Sequence, residues 1–140
     1  MNTKRFVKRA MLLLVVTTSI ISGCTVNRID LVEAGMLTLE PHAAGKVGIA
    51  WSSAYKDKEG FVIAGVLTRH DHVGLPIRAH VDITVLSPDG RTLNDSRTPD
   101  ICVPAHVTGR GQSLKRFEVR FPHLPPQGSS VRMVCHSEAH

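Results

Sequence analysis

The chain has 140 residues, 42% hydrophobic and 21% charged, an ordinary globular balance with room for one domain and not for two. Its formal charge is +5, but Lys4, Arg5, Lys8 and Arg9 lie within the first 23 residues, which hold no acid, so the remainder carries only +1. A nearly neutral body with one Trp and one Tyr lacks the basic, ring-rich surface that nucleic-acid binding needs, which excludes DNA and RNA as partners.

The N-terminal segment comes first in chain order. Met1 to Arg9 is basic, and Ala10 to Ile21 is a 12-residue, mostly apolar run, the layout of a secretory signal peptide. It is too short to span a bilayer, which takes about 20 apolar residues. The run ends in Ile21-Ser22-Gly23-Cys24, which resembles the lipobox of bacterial lipoproteins, with small residues ahead of a lipid-accepting cysteine. Ile replaces the commoner Leu at its first position, and the resemblance covers only Met1 to Cys24.

That resemblance implies removal of residues 1–23 and a diacylglyceryl thioether on Cys24, with N-acylation beside it. Two or more acyl chains hold a protein on a membrane stably, where one does not. Thr25 stands where an Asp tends to retain such proteins in the inner membrane. The resemblance therefore implies attachment to the outer membrane, facing the periplasm. Residues 24–34, with little pattern, are expected to form a lipidated tether, and residues 35–140 the folded domain.

With Cys24 assigned to lipid, Cys102 and Cys135 remain as an even pair in an oxidising compartment and are expected to form a disulfide. Closing a loop of 33 residue steps would contribute about 3–4 kcal/mol in the chain-entropy picture. The bridge would pin the long connection Thr98 to Gly111 to the sheet. Neither cysteine has the CxxC spacing or neighbouring thiols of a redox or thiolate-metal site.

From Gly35 onward the hydrophobic period is two. Val47, Ile49 and Trp51 alternate with Gly48, Ala50 and Ser52. Phe61 to Leu67 is apolar on both faces. Ile77, Ala79, Val81, Ile83 and Val85 alternate with Arg78, His80, Asp82 and Thr84, a strand with one buried and one wet face. Ser87-Pro88-Asp89-Gly90 then supplies a turn, so Val81 to Leu93 reads as a hairpin.

Phe117, Val119 and Phe121 alternate with Glu118 and Arg120. Pro122 to Gly128 interrupts the pattern, and Val131, Met133 and Cys135 resume it. Six or seven short strands with no helical run predict an all-β, two-layer antiparallel sandwich, immunoglobulin-like or transthyretin-like in outline.

Eight histidines are present, and in His70-Asp71-His72 an extended chain would turn both imidazoles to one side. His70 and His72, joined by His80 or by His140 from the C-terminal tail, would make a Cu(II) or Zn(II) site. His80 has a competing structural role beside Asp82 on the wet face of its strand. Enzyme signatures are missing: Gly111-Gln112-Ser113-Leu114-Lys115 fails the G-x-S-x-G pattern, and no H-E-x-x-H, P-loop or G-x-G-x-x-G occurs. Arg110, Lys115, Arg116, Arg120 and Arg132 outnumber Glu118 and Glu138 in the C-terminal third, a surface suited to acidic partners. The sequence thus predicts a lipid-anchored, non-enzymatic binding module or accessory of an envelope assembly, with a metal-handling lipoprotein as the alternative.

Overall fold

The computed structural model describes residues 28–71, 74–105 and 114–138. Cys24 and residues 1–23, His72, His140 and residues 106–113, Arg110 among them, lie outside them. Eight strands form: β1 (Leu37–Ala44), β2 (Val47–Asp57), β3 (Gly60–Arg69), β4 (Ile77–Leu86), β5 (Thr92–Arg97), β6 (Ile101–Val103), β7 (Lys115–Phe121) and β8 (Ser129–Ser137). No helix occurs among the described residues.

The strands divide into a sheet of order β1-β8-β4-β5, with β6 also on β4, and a three-stranded sheet of order β2-β3-β7. All pairings are antiparallel except β1 with β8, which run parallel from Leu37 opposite Ser129 to Ala44 opposite His136. A uniformly antiparallel sandwich is thus corrected at one edge. A parallel pair needs a crossover, and here it is the whole intervening chain, which places the first strand of the body against the last.

Period-two patterning puts Ala79, Val81, Ile83 and Val85 of β4 beside Val131, Met133 and Cys135 of β8 on the inner face. Phe61, Ile63 and Leu67 of β3 and Phe117 and Phe121 of β7 fill the core from the facing sheet. Phe61 and Phe121 stack with ring centroids 4.8 Å apart. The turn after β4 falls where the sequence places it: the Gly90 N–H donates to the Ser87 carbonyl at 2.9 Å, with Gly90 at φ 84°.

β5 and β6 are two pieces of one edge position along β4, pairing at Asp82–Leu86 and Ile77–Ala79. Buried Thr98 bridges the break. Its N–H donates to the Val81 carbonyl at 3.0 Å, and its hydroxyl accepts from the Val81 N–H at 2.9 Å. Pro99, lacking an N–H, follows at the point where the ladder stops.

The expected Cys102–Cys135 disulfide is absent, and strand parity explains why. Cys102 lies opposite Arg78 and Cys135 opposite Val81. Three positions along β4 separate those partners, so the two cysteines leave the sheet from opposite faces. Cys135 is buried and Cys102 exposed, and both are free thiols. Burial pushes the Cys135 thiol up to about 11, which removes its nucleophilic form at neutral pH. Adding reductant is expected to leave the thermal midpoint unchanged. A drop of roughly 10 °C or more would show a bridge worth 3–4 kcal/mol.

The folded body also begins earlier than residue 35. Leu31 is 2% exposed, and its N–H donates to the Ala54 carbonyl at 2.9 Å. The Lys56 N–H reaches the Ile29 carbonyl at 2.9 Å, and Asp30 bridges to Tyr55. Residues 29–31 thereby extend the three-stranded sheet beside β2. Asp30 then accepts from the Val32 and Glu33 N–H groups at 2.8 and 3.2 Å, closing a turn.

Candidate functional site

The outer face of the three-stranded sheet carries three cross-strand rows: Trp51–Val66–Arg116, Ser53–Ala64–Glu118 and Tyr55–Val62–Arg120. Aromatic side chains therefore stand on β2 and charged ones on β7, with Ala64 and Val66 between them. Small central side chains leave a shallow groove of about 540 Å³. The chain's one Trp and one Tyr both lie on this face.

Trp51 faces outward because of a β-bulge. Pairing with β3 slips between Ile49 and Trp51, leaving Ala50 as the extra residue. The slip reverses parity, so Ile49 packs against the core while Trp51 is 57% exposed. Unbroken alternation would have put Trp51 on the same side as Val47 and Ile49.

One wall of the groove is braced. The Tyr55 hydroxyl donates to Glu118 Oε2 at 3.2 Å, and Arg120 donates to Glu118 Oε1 at 2.8 Å and to Asp57 Oδ2 at 2.6 Å. The Arg28 guanidinium lies 4.6 Å from the centroid of the Tyr55 ring, a cation–π contact. Partial burial, with the Glu118 charge second, raises the Tyr55 pKa and keeps its hydroxyl a donor. Arg116 and Trp51, by contrast, make no polar or ring contact among the described residues. A flat ring and an unneutralised guanidinium thus face each other across an apolar floor. This arrangement can hold an anionic group and apolar matter together.

The outer face of the five-stranded sheet carries a second cluster. His80 and His136 are cross-strand partners whose rings stack at 5.3 Å. Asp82 Oδ2 lies 3.3 Å from His136 Nε2, and Asp82 Oδ1 accepts from Arg97 Nε at 2.7 Å. Asp100 Oδ1 is 3.6 Å from His80 Nδ1. His80 Nε2 lies 4.0 Å from Asp82 Oδ1, outside hydrogen-bond distance.

The hydrogen bond from Arg97 holds the Asp82 carboxyl below its usual range, aided by the Arg97 charge. Its folded value is depressed, so the interaction stabilises the fold above the pH where a free Asp ionises. That contribution is lost as pH falls through the lower folded value. Following the Asp82 carboxyl by NMR is expected to show titration below the ordinary Asp range, returning upward in Arg97→Ala. An unchanged value in the variant would contradict the assignment.

The four histidines of the expected metal site are not assembled by the described residues. His70 follows β3 at the end of the three-stranded sheet, whereas His80 sits on β4 in the other sheet. His72 and His140 lie outside the described residues. Among those described, no three His, Cys, Asp or Glu side chains converge to hold a metal ion. Asp71 instead accepts hydrogen bonds from buried Arg69, which also donates to the Leu75 carbonyl at 2.7 Å and ties down the loop after β3. The basic C-terminal third is divided as well: Arg116 lines the groove, Arg120 is tied to Asp57 and Glu118 on the same sheet, and Arg132 pairs with Glu40 on the opposite sheet.

Comparison with protein-family models, with curated proteins and with solved structures finds no match to this chain.

Proposed function

We propose that the protein is a lipid-anchored, non-enzymatic binding module of the bacterial envelope. It is held through Cys24 on the periplasmic side of the outer membrane and works through the outer face of the three-stranded sheet. The observation that carries the binding role is the groove between Trp51 and Arg116, where an exposed ring and a cation with no counter-ion among the described residues share an apolar floor. The anchor is supported by Ile21-Ser22-Gly23-Cys24. An immunoglobulin-like outline is favoured over a transthyretin-like one. Counting β5 and β6 as one broken strand gives four and three strand positions, the division of constant-type domains, although the order of strands differs from theirs.

A photo-cross-linking residue at Ser53, on the groove floor, tests the site against the same residue at Thr84 on the opposite sheet. Cross-links should form from position 53 in intact envelopes and disappear when Trp51 and Arg116 are both replaced by Ala. Equal labelling from both positions, or labelling from Thr84 alone, would place the binding surface elsewhere.

A further inference from the structure

The anchor and the groove lie close together along the chain. Arg28, whose guanidinium covers the Tyr55 ring, is four residues beyond Cys24. Four residue steps span at most about 14 Å even when fully extended. If Cys24 carries lipid, its backbone stands at the headgroup layer, which is only about 5–7 Å deep on each side of the hydrocarbon. The Arg28–Tyr55 end of the groove is then leashed within about 14 Å of that layer. Residues 29–31 are hydrogen-bonded to β2, so the leash cannot lengthen by peeling back without losing the buried Leu31.

The chemistry of this face suits that address. Trp and Tyr side chains settle at the boundary between headgroups and hydrocarbon, where an apolar ring body and a polar tip are both satisfied. Arg guanidinium groups pair with phosphate in two-point contacts. Ile29, 52% exposed, adds apolar surface next to Arg28. The opposite sheet differs in having no Trp or Tyr on its outer face: Arg78 is exposed there without a Trp or Tyr ring beside it, while Arg97 is paired with Asp82 and Arg132 with Glu40. Arg116 has no such counter-ion among the described residues.

We infer that the outer face of the three-stranded sheet docks on the anionic phospholipid headgroups of the leaflet that holds the anchor. Arg116 and Arg28 take phosphate, and Trp51 seats at the interface. The inference rests on the lipid-anchored reading and names the ligand of the same groove. Docking fixes how the domain lies on the membrane: the sheet bearing His80, His136 and Asp82 is turned toward the periplasm.

Trp51 is the chain's only tryptophan, so its emission reports this face alone. The full-length protein, processed from its own leader, is reconstituted into phosphatidylcholine vesicles with or without phosphatidylglycerol, in ordinary and brominated acyl forms. Emission should shift to the blue and be quenched by brominated lipid when phosphatidylglycerol is present. Arg28→Ala and Arg116→Ala should each shift the docked-to-undocked ratio about fivefold away from docking, the worth of one basic residue at an anionic surface. Identical emission in brominated and ordinary vesicles would overturn the inference. So would quenching by a soluble anionic oligosaccharide with no response to lipid.

Mass analysis of the same preparation reads the anchor separately. Should Cys24 prove unmodified, the anchored reading fails by itself, and docking is read from the unlipidated protein. Co-sedimentation with phosphatidylglycerol vesicles and quenched Trp51 would sustain docking, and their absence would overturn it.

Discussion

Replacing Phe61 by Ala is expected to lower the folding free energy by about 3–5 kcal/mol. Phe61 is 2% exposed, stacks on Phe121 across the β3–β7 pair and faces the β4 row from the other sheet. Truncation removes the buried ring area and the ring–ring contact and leaves a cavity between two ladders whose hydrogen bonds resist collapse. For a body of this size, with total stability of about 5–15 kcal/mol, that is a large share. Urea unfolding should show the midpoint falling with the slope preserved. A loss under about 1 kcal/mol would mean that the two sheets do not meet at Phe61.

Gly60→Ala should be nearly as damaging, for the opposite reason. A Cβ at Gly60 would lie 1.9 Å from the Phe121 carbonyl oxygen and 2.8 Å from the Pro122 carbonyl carbon, both backbone atoms. A side chain could rotate away, but a paired strand cannot, so the cost should sit at the upper end of about 1–3 kcal/mol for overpacking. Gly90→Ala is the informative contrast. Its φ of 84° disfavours a side chain, yet nothing lies within 4 Å of the added carbon. Backbone strain of about 1–2 kcal/mol is all that it should cost. Thermal melts of the two variants should rank Gly60→Ala below Gly90→Ala. The reverse order would contradict the tight β2–β3 turn against the end of β7.

Much of this architecture is legible in residues whose environment is local. The alternation Ile77 to Val85 gives β4 with both faces correctly assigned, and Ser87-Pro88-Asp89-Gly90 gives the turn, because strand parity and turn chemistry depend on adjacent residues. Likewise Arg116, Glu118 and Arg120 already read as a wet face opposite Phe117, Val119 and Phe121. Features that depend on which strands become neighbours are not legible in this way. Nothing near Leu37 announces that β1 will lie parallel to β8, and nothing near Leu31 distinguishes a tether from a segment docked on β2.

The two cysteines show the same limit. Each lies in a segment compatible with bridging, and only the shared register on β4 puts them on opposite faces. The groove was hidden by a single residue. Unbroken alternation through Val47, Ile49 and Trp51 sends the indole inward, and the bulge at Ala50 sends it out. The spacing of Trp51, Ser53 and Tyr55, all of one parity, was the available signal: a Ser in phase with two rings belongs more readily to a half-wet face than to a core.

The proposed function requires a folded module fastened to the envelope by its first mature residue. Intact-mass and N-terminal peptide analysis of the protein purified from membranes tests this most directly. The mature chain is expected to begin at Cys24 and to carry a diacylglyceryl group with an added N-acyl chain. A mature chain starting at any other residue, or at an unmodified Cys24, would contradict it.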